Sequence, residues 1–210
     1  MKRGLFITFE GIDGAGKSTQ LEWAADFLRG LGLALVRTRE PGGTPLGEKI
    51  RETLLRAEKH VDAETESLLV FAARRQHLEE IIRPALARGE CVLCDRFTDA
   101  TFAYQGGGSG VDKRKLDALE QWVHPDLQPD LTVLFDVSAE VGRSRVARIK
   151  SPDRFEREGA EFFTRVREAY LDRLRHSGGR MVRIDGTRAI AQVQAELGAT
   201  LEKAVGKWKS

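Results

Sequence analysis

Short apolar runs alternate along the chain with longer segments in which apolar residues recur at helical spacing. The runs are too short for helices and rich in strand-forming residues, so each one predicts a buried strand. They cover residues 5–9, 33–36, 91–94, 131–135 and 181–184. The helical patterns follow Ser18 and then cover 46–57, 62–87 and 189–205. Strands separated by helices predict an α/β fold, with a parallel five-stranded sheet flanked by helices.

The composition argues against several classes of protein. Lys and Arg together number 34 against 32 Asp and Glu, and this near balance argues against a dedicated nucleic-acid binder. No apolar run approaches the roughly 20 residues that a membrane-spanning helix needs. No secretory signal and few cysteines are present, so a cytoplasmic location is expected. Because no linker or repeat interrupts the pattern, we expect a single domain over residues 1–210.

The pair Cys91 and Cys94 has the C-x-x-C spacing of zinc and redox motifs. Both lie in a predicted strand, where residues three apart point to opposite faces. We therefore predict that they pack in the interior.

The segment 11–18 reads GIDGAGKS and fits the phosphate-binding loop G-x-x-x-x-G-K-[ST] in full. A predicted strand precedes it and an amphipathic helix follows, which is the context that the motif requires. Backbone N–H groups and the helix N-terminus attract phosphate oxygens, while Lys17 pairs with the β/γ phosphates and Ser18 holds Mg²⁺. The predicted ATP-binding residues of this P-loop are Gly11, Ile12, Asp13, Gly14, Ala15, Gly16, Lys17, Ser18 and Thr19.

Three later segments complete a distinctive set of motifs: 39–44 (REPGGT), 95–97 (DRF) and 103–108 (AYQGGG). Together with FEGIDG at 9–14, they resemble the bacterial thymidylate kinases, a family of P-loop nucleoside monophosphate kinases. The resemblance extends from residue 5 to about 187 and includes PDLT at 129–132 and DRFE at 153–156. It implies a P-loop NTPase-type fold and Mg-ATP-dependent phosphorylation of dTMP to dTDP, with ADP as the second product.

The acceptor phosphate has its predicted partners at the carboxyl edge of the sheet. Arg96 follows the third strand, where α/β proteins bind ligands, and its planar guanidinium suits a phosphate. Asp95 either orients this arginine or holds a metal-bound water. The resemblance implies that Arg96 binds the acceptor phosphate, that Arg39 lies near it, and that Asp13 lies near both the phosphate and Mg²⁺. Whether Asp13 or Glu10 is closer to Mg²⁺ stays open.

The nucleoside has predicted partners in two segments. Phe71 and Arg74 are three residues apart and so share a helix face. The resemblance implies that Phe71 stacks on thymine and that Arg74 reaches its O4. The alternative for Phe71 is a buried apolar stripe shared with Leu68, Leu78 and Ile82.

Thr101, Tyr104 and Gln105 match family positions that line the nucleoside. The resemblance implies that Tyr104 lies against the 2′ position of the sugar and favours deoxyribose. The glycine run 106–108 is either part of this site or a flexible loop.

A basic segment predicts a small arginine-rich lid at about 143–157. Arginines on a closing segment can stabilise the charge that phosphoryl transfer develops. The chain has Gly14 where some family members carry a catalytic arginine, so it resembles the members that supply this arginine from the lid. The candidates are Arg148 and Arg145, then Arg154, while Arg143 is expected against the adenine.

Two alternatives remain from sequence. The first is a kinase of the same fold for dUMP or dCMP, although an arginine donor facing the base disfavours cytosine. The second is a P-loop module that binds nucleotide without transferring phosphate. The resemblance also implies a homodimer.

Overall fold

The computed structural model describes residues 2–57, 61–147, 154–155 and 158–210, and within these ranges five strands form one parallel sheet. The sheet has the spatial order β2-β3-β1-β4-β5. Its strands are β1 Phe6–Glu10, β2 Leu35–Arg39, β3 Cys91–Asp95, β4 Leu131–Asp136 and β5 Met181–Asp185. Each predicted strand is present, and β2 begins two residues later than its apolar run. The predicted fold class is confirmed.

The connections between the strands are helical. The α-helices are α1 Lys17–Gly30, α2 Pro45–Leu55, α3 Ala63–His77, α4 Arg83–Ala87, α5 Thr98–Thr101, α6 Lys113–Val123, α7 Ala139–Val146, α8 Ala160–Arg175 and α9 Ile190–Lys209. Two π-helical segments, Leu78–Ile82 and Phe102–Gly108, continue α3 and α5. Within the described residues no helix combines the length and the apolarity needed to cross a bilayer.

The hydrophobic core lies on both faces of the sheet. One cluster joins β1 and β4 to α1, α8 and α9, while the other lies under α3, α4 and α6. Cys91 belongs to the first cluster and Cys94 to the second, and both are free and fully buried. Their predicted packing on opposite faces of β3 is confirmed.

The sheet register brings polar strand ends together at one edge. Phe9 of β1 lies beside Asp95 of β3, which in turn lies beside Arg39 of β2. Glu10 therefore ends β1 next to the end of β3. The carboxyl edge carries the P-loop and the segment after β3 side by side, as parallel strands require.

The packing of the helices corrects one expectation and decides one alternative that the sequence left open. The apolar stripe predicted on α3 contains Phe71, Leu78 and Ile82, which are buried, but Leu68 is 56% exposed. Leu68 therefore does not belong to the stripe. The glycine run at 106–108 is not a flexible loop, because it belongs to the π-helical segment Phe102–Gly108. A Cβ on Gly107 would lie 2.5 Å from the Cβ of Ala169. Glycine is needed here because the π-helical segment packs directly on α8.

Candidate active site

The P-loop connects β1 to α1 and is held from within by its own lysine. The Lys17 Nζ donates to the carbonyl oxygens of Gly11 and Ile12, at 3.0 and 3.1 Å. Burial and the neighbouring Arg96 lower the pKa of Lys17 to about 8. Ser18 and Thr19, in the first turn of α1, have exposed side chains. The loop therefore presents a buried cation and the N-terminus of a 14-residue helix to the same space.

The loop also makes a close contact with the helix that starts the predicted lid. Gly14 has φ of 78°, and a Cβ there would lie 2.2 Å from the carbonyl oxygen of Gly142 in α7. Neither the backbone conformation nor the space admits a side chain at position 14. The absence of an arginine at this position thus has a structural reason.

A charged network joins the P-loop to the segment after β3. Arg96 donates from Nη2 to Asp13 Oδ1 at 2.6 Å and to the Tyr104 hydroxyl at 3.0 Å. The Tyr104 hydroxyl donates to Asp13 Oδ2 at 2.9 Å, and its ring centroid lies 4.6 Å from Arg96 Cζ. Burial would raise the pKa of Asp13, but Arg96, Lys17 and the Tyr104 hydroxyl together lower it. Asp13 is therefore an anion between two cations.

The backbone of Arg96 is held in a conformation that side chains rarely adopt. Its φ is 68°, and Arg96 N donates to the carbonyl oxygen of Phe9 at 2.9 Å. The next amide, Phe97 N, donates to Glu10 Oε1 at 2.7 Å, and the Tyr170 hydroxyl donates to Glu10 Oε2 at 2.7 Å. Burial, with the nearby Asp99, raises the pKa of Glu10 to about 8. Both oxygens of Glu10 are thus occupied by protein donors.

A cavity opens beside this network. Of the predicted acceptor residues, six line it: Asp13, Arg74, Arg96, Thr101, Tyr104 and Gln105. The opposite wall comes from the segment after β2, from α2 and from the lid: Glu40, Pro41, Arg51, Leu54, Leu55 and Phe155. The fold thus places most of the predicted acceptor residues around one cavity.

Arg74 is the most deeply buried cation of this cavity, with 1% of its surface exposed. Its Nε donates to Glu40 Oε2 at 2.7 Å and its Nη2 to Thr101 Oγ1 at 2.9 Å. Its Cζ lies 4.8 Å from the Phe71 ring centroid and 5.0 Å from that of Phe97. Nη1 is buried without a hydrogen-bond partner among the described residues. A buried donor of this kind needs an acceptor, and the cavity is where a ligand can supply one.

Two of the predicted acceptor residues lie outside the cavity lining. Phe71 is 2% exposed and packs against Arg74, so its predicted stacking on the base stays a prediction. Arg39 forms an exposed ion pair with Glu48 at 2.7 Å. Arg51, one helical turn beyond Glu48, lines the cavity and donates to the Pro41 carbonyl oxygen at 3.1 Å.

The lid reaches the same cavity through Phe155, which follows Arg154 in the chain. Arg154 forms an ion pair with Glu66, a 1% exposed residue of α3 that also accepts a hydrogen bond from Gln105 Nε2 at 2.6 Å. The Phe155 ring lies edge-on to Tyr104, with centroids 5.7 Å apart. Arg154 is therefore engaged on the acceptor side of the site.

A second cavity lies on the other side of the P-loop. Its walls come from the P-loop, α1, α7, the turn after β5 and the start of α9: Ala15, Gly16, Thr19, Gln20, Arg145, Gly186, Arg188, Ile190 and Val193. Arg145 connects the P-loop to the turn after β5, because it donates to the carbonyl oxygens of Gly14 and Gly186, both at 3.1 Å. Arg143 is exposed and does not line this cavity, although it was the arginine predicted against adenine. Arg148 lies outside the described residues.

The predicted metal ligands differ in their surroundings. Asp95 Oδ1 is buried and has no hydrogen-bond partner in the described part of the chain. Ser18 presents an exposed hydroxyl at the start of α1. Within the described ranges no three His, Cys, Asp or Glu side chains form a cluster that could hold a metal by themselves. An oxygen set completed by phosphates and water is the mode that Mg²⁺ usually adopts.

Comparisons with known proteins decide the family. A family model described as "Thymidylate kinase" matches residues 9–197. The chain belongs to the thymidylate kinase family. It is 59% identical to "Thymidylate kinase" of Methylobacillus flagellatus over 195 residues. These residues cover 93% of this chain and 95% of that protein. With "Thymidylate kinase" of Bordetella pertussis it shares 56% identity over 205 residues, 98% of each chain.

A solved structure supports the same assignment. The crystal structure of thymidylate kinase from Ehrlichia chaffeensis superposes with a TM-score of 0.78 at 36% identity, over 95% of this chain and 99% of that one. The thymidylate kinase family, the enzyme class and the activity predicted from the sequence, phosphorylation of dTMP, are confirmed.

Sequence reasoning missed several residues of this candidate site. Glu40 belongs to the motif at 39–44, and Arg51 follows this motif on α2. The position of Arg51 on a helix next to the motif was the available signal. The start of α2 is fixed locally, because Thr44 Oγ1 accepts from Gly47 N at 3.0 Å and Pro45 occupies the first turn. Tyr170 carried no signal of its own, because no motif surrounds it.

Proposed function

We propose that this chain transfers the γ-phosphoryl group of ATP to dTMP, using the first cavity for the acceptor and the P-loop with the second cavity for the donor. The observation that carries this assignment is the 2.6 Å ion pair between Arg96 and Asp13. Arg96 lines the acceptor cavity, and Asp13 belongs to both this lining and the P-loop. The two sites are therefore adjacent, as a direct transfer between two bound nucleotides requires.

On the acceptor side, Arg96 and Arg51 bind the phosphate of dTMP, while Asp13 orients Arg96. The unpartnered Arg74 Nη1 donates to a carbonyl oxygen of the base, supported by the Arg74 contacts with Glu40 and Thr101. Tyr104 closes the sugar side and disfavours a 2′-hydroxyl. These roles assign thymine recognition to a buried cation that is already fixed before substrate arrives.

On the donor side, the P-loop amides and Lys17 bind the phosphates, and Thr19 and Arg145 border the space for the base. Ser18 and Asp95 are the residues that we propose hold Mg²⁺, Asp95 through water. When bound, Mg²⁺ neutralises charge on the transferred group. The buried, unpartnered Oδ1 of Asp95 supports this role.

The transfer itself needs neither a covalent intermediate nor a general base, because the acceptor phosphate is already anionic. Positioning and charge neutralisation then carry the catalysis, through Lys17, Arg96 and the lid arginines of 143–157. The Arg145 contacts with two carbonyl oxygens and the Arg154 ion pair with Glu66 leave Arg148 as our candidate for the catalytic lid arginine.

We also propose a cytoplasmic homodimer. Trp122 of α6 is 81% exposed and Leu68 of the neighbouring α3 is 56% exposed, and exposed large apolar side chains on packed helices favour a subunit contact. Light scattering of the wild type and of Trp122→Glu tests this part separately. We expect a dimer for the wild type and a monomer for the variant, and a monomeric wild type would contradict the proposal.

The enzymatic proposal is tested by ADP formation from Mg-ATP with dTMP, dUMP, dCMP or no acceptor. We expect turnover that strongly favours dTMP. Preference for another acceptor would retain the kinase and reject the roles of Arg74 and Tyr104. ATP binding without acceptor-dependent turnover would instead make the chain a nucleotide-binding module.

A further inference from the structure

Arg96 needs an independent support, because its own conformation is unfavourable. It is the non-glycine residue with positive φ among the described residues, and its side chain is surrounded by other polar groups. A side chain in this state keeps its position only when its surroundings fix both its backbone and its guanidinium. One residue of the structure is hydrogen-bonded both to the backbone next to Arg96 and to a side chain that contacts its guanidinium.

That residue is Glu10, at the end of β1. Its Oε1 accepts from the amide of Phe97, immediately after the left-handed Arg96, at 2.7 Å. Its Oε2 accepts from the Tyr170 hydroxyl at 2.7 Å, and the same hydroxyl oxygen accepts from Arg96 Nη1 at 3.2 Å. One fully buried carboxyl group thus holds the peptide group that follows Arg96, through Phe97 N, and the Arg96 guanidinium, through Tyr170.

We propose that Glu10 and Tyr170 form an arginine clamp that positions Arg96 for the acceptor phosphate. Neither residue lines the acceptor cavity, so the clamp acts through Arg96 and not by touching the nucleotide. The clamp joins three segments, β1, the segment after β3, and α8. It is separate from the Asp13 and Tyr104 contacts, which involve the other terminal nitrogen of Arg96.

The clamp predicts a selective defect. A general loss of structure would weaken all ligands of the acceptor cavity, whereas a misplaced Arg96 weakens only those that carry a phosphate. Thymidine shares the base and sugar of dTMP but lacks the phosphate. The ratio of the dTMP and thymidine affinities therefore reports on the contacts to the phosphate, and among these the clamp residues contact Arg96 and not Arg51.

Tyr170→Phe is the main variant, because it keeps the buried ring and removes only the hydroxyl. By calorimetry we expect about a tenfold loss of dTMP affinity, the effect of one charge-assisted hydrogen bond, with thymidine affinity unchanged. The kcat with dTMP falls as well, because the phosphate is less well aligned. Glu10→Leu removes both contacts and should lower the ratio further, while Glu10→Gln keeps hydrogen-bonding groups and should stay within about threefold of wild type.

Thr8→Val is the matched control. Thr8 is fully buried on β1 two residues before Glu10, and its hydroxyl lies 2.7 Å from Thr132 Oγ1, away from Arg96. The ratio of the dTMP and thymidine affinities of Thr8→Val should equal that of the wild type. An unchanged ratio in Tyr170→Phe would overturn the clamp, whether the two affinities stay the same or fall by the same factor. If Glu10→Leu does not fold, Tyr170→Phe decides alone.

The clamp rests on the proposed binding of the acceptor phosphate by Arg96, and Arg96→Ala separates the two. If Arg96→Ala abolishes the preference for dTMP over thymidine while Tyr170→Phe retains it, only the clamp fails. If Arg96→Ala itself keeps the preference, the proposed role of Arg96 fails and the clamp fails with it.

Discussion

The two cavities beside the P-loop are built in different ways. The acceptor cavity is made of buried charged side chains that already contact one another, such as Arg74 with Glu40 and Arg96 with Asp13. The donor cavity is made of small P-loop residues, apolar residues of α9 and two exposed arginines, Arg145 and Arg188. Buried charges that are fixed in advance discriminate between ligands, because a wrong ligand leaves them unpaired. From this difference we expect selectivity on the acceptor side, with the donor bound mainly through its phosphates.

Lys17→Ala gives the largest expected effect and tests the P-loop, which contributes residues to both cavities. It removes a cation fixed by two carbonyl oxygens at the point where the phosphates meet. We expect kcat to fall by about 10²-fold or more, with little change in melting temperature. Steady-state ADP formation measures this, and an unchanged rate in a folded variant would contradict the P-loop assignment.

Arg74→Ala tests whether the acceptor cavity is part of the core. The change leaves Glu40 buried without its main cation, and removing one partner of a buried pair costs about 3–5 kcal/mol. We expect urea denaturation to show a loss of this size in the free energy of unfolding, together with loss of dTMP binding.

The matched control for Arg74→Ala is Arg39→Ala, which breaks the exposed pair with Glu48. Exposed pairs contribute about 1 kcal/mol or less, so the free energy of unfolding should barely change. Equal losses of unfolding free energy in the two variants would show that the buried Arg74–Glu40 pair stabilises the fold no more than an exposed pair does.

The pH dependence of donor use tests the buried state of Lys17. Burial lowers the pKa of Lys17 to about 8, so the cation is present below this pH and is lost as the pH rises through it. We expect kcat/KM for ATP to fall about fivefold from pH 8 to pH 9, because one group titrates.

Two variants show which group causes this decline. Lys17→Arg keeps its charge and should have a flat profile at a lower rate. Glu10 also has a pKa raised to about 8, so Glu10→Gln must keep the decline. If Glu10→Gln abolishes it, the titrating group is Glu10 and the interpretation for Lys17 is wrong.

Arg145→Ala has the smallest expected effect and sharpens the contrast between the cavities. Arg145 contacts two backbone carbonyl oxygens at the donor cavity and no acceptor residue. We expect the KM for ATP to rise about three- to fivefold with kcat and dTMP affinity unchanged. A large fall in kcat would instead make Arg145 the catalytic lid arginine. Arg148→Ala, measured in parallel, should lower kcat more than it raises KM.

The sequence by itself determined the parts of this protein that depend on neighbouring residues. The strands, the P-loop and the placement of Arg96 at the end of β3 all follow from short local patterns. Even the family could be inferred, because its motifs lie within continuous segments. Local patterns suffice here because backbone conformation is set mainly by residues close in sequence.

Only the tertiary structure decided which side chains become partners. Tyr170 contacts Glu10 across 160 positions of the chain, and no spacing rule connects them. Arg51 rather than Arg39 lines the acceptor cavity, and Arg145 rather than Arg143 lines the donor cavity. Arg39 ends β2 and Arg51 lies on α2, whereas Arg143 and Arg145 share α7. In each pair the direction of the side chain on its helix or strand, together with what packs against it, selects one arginine.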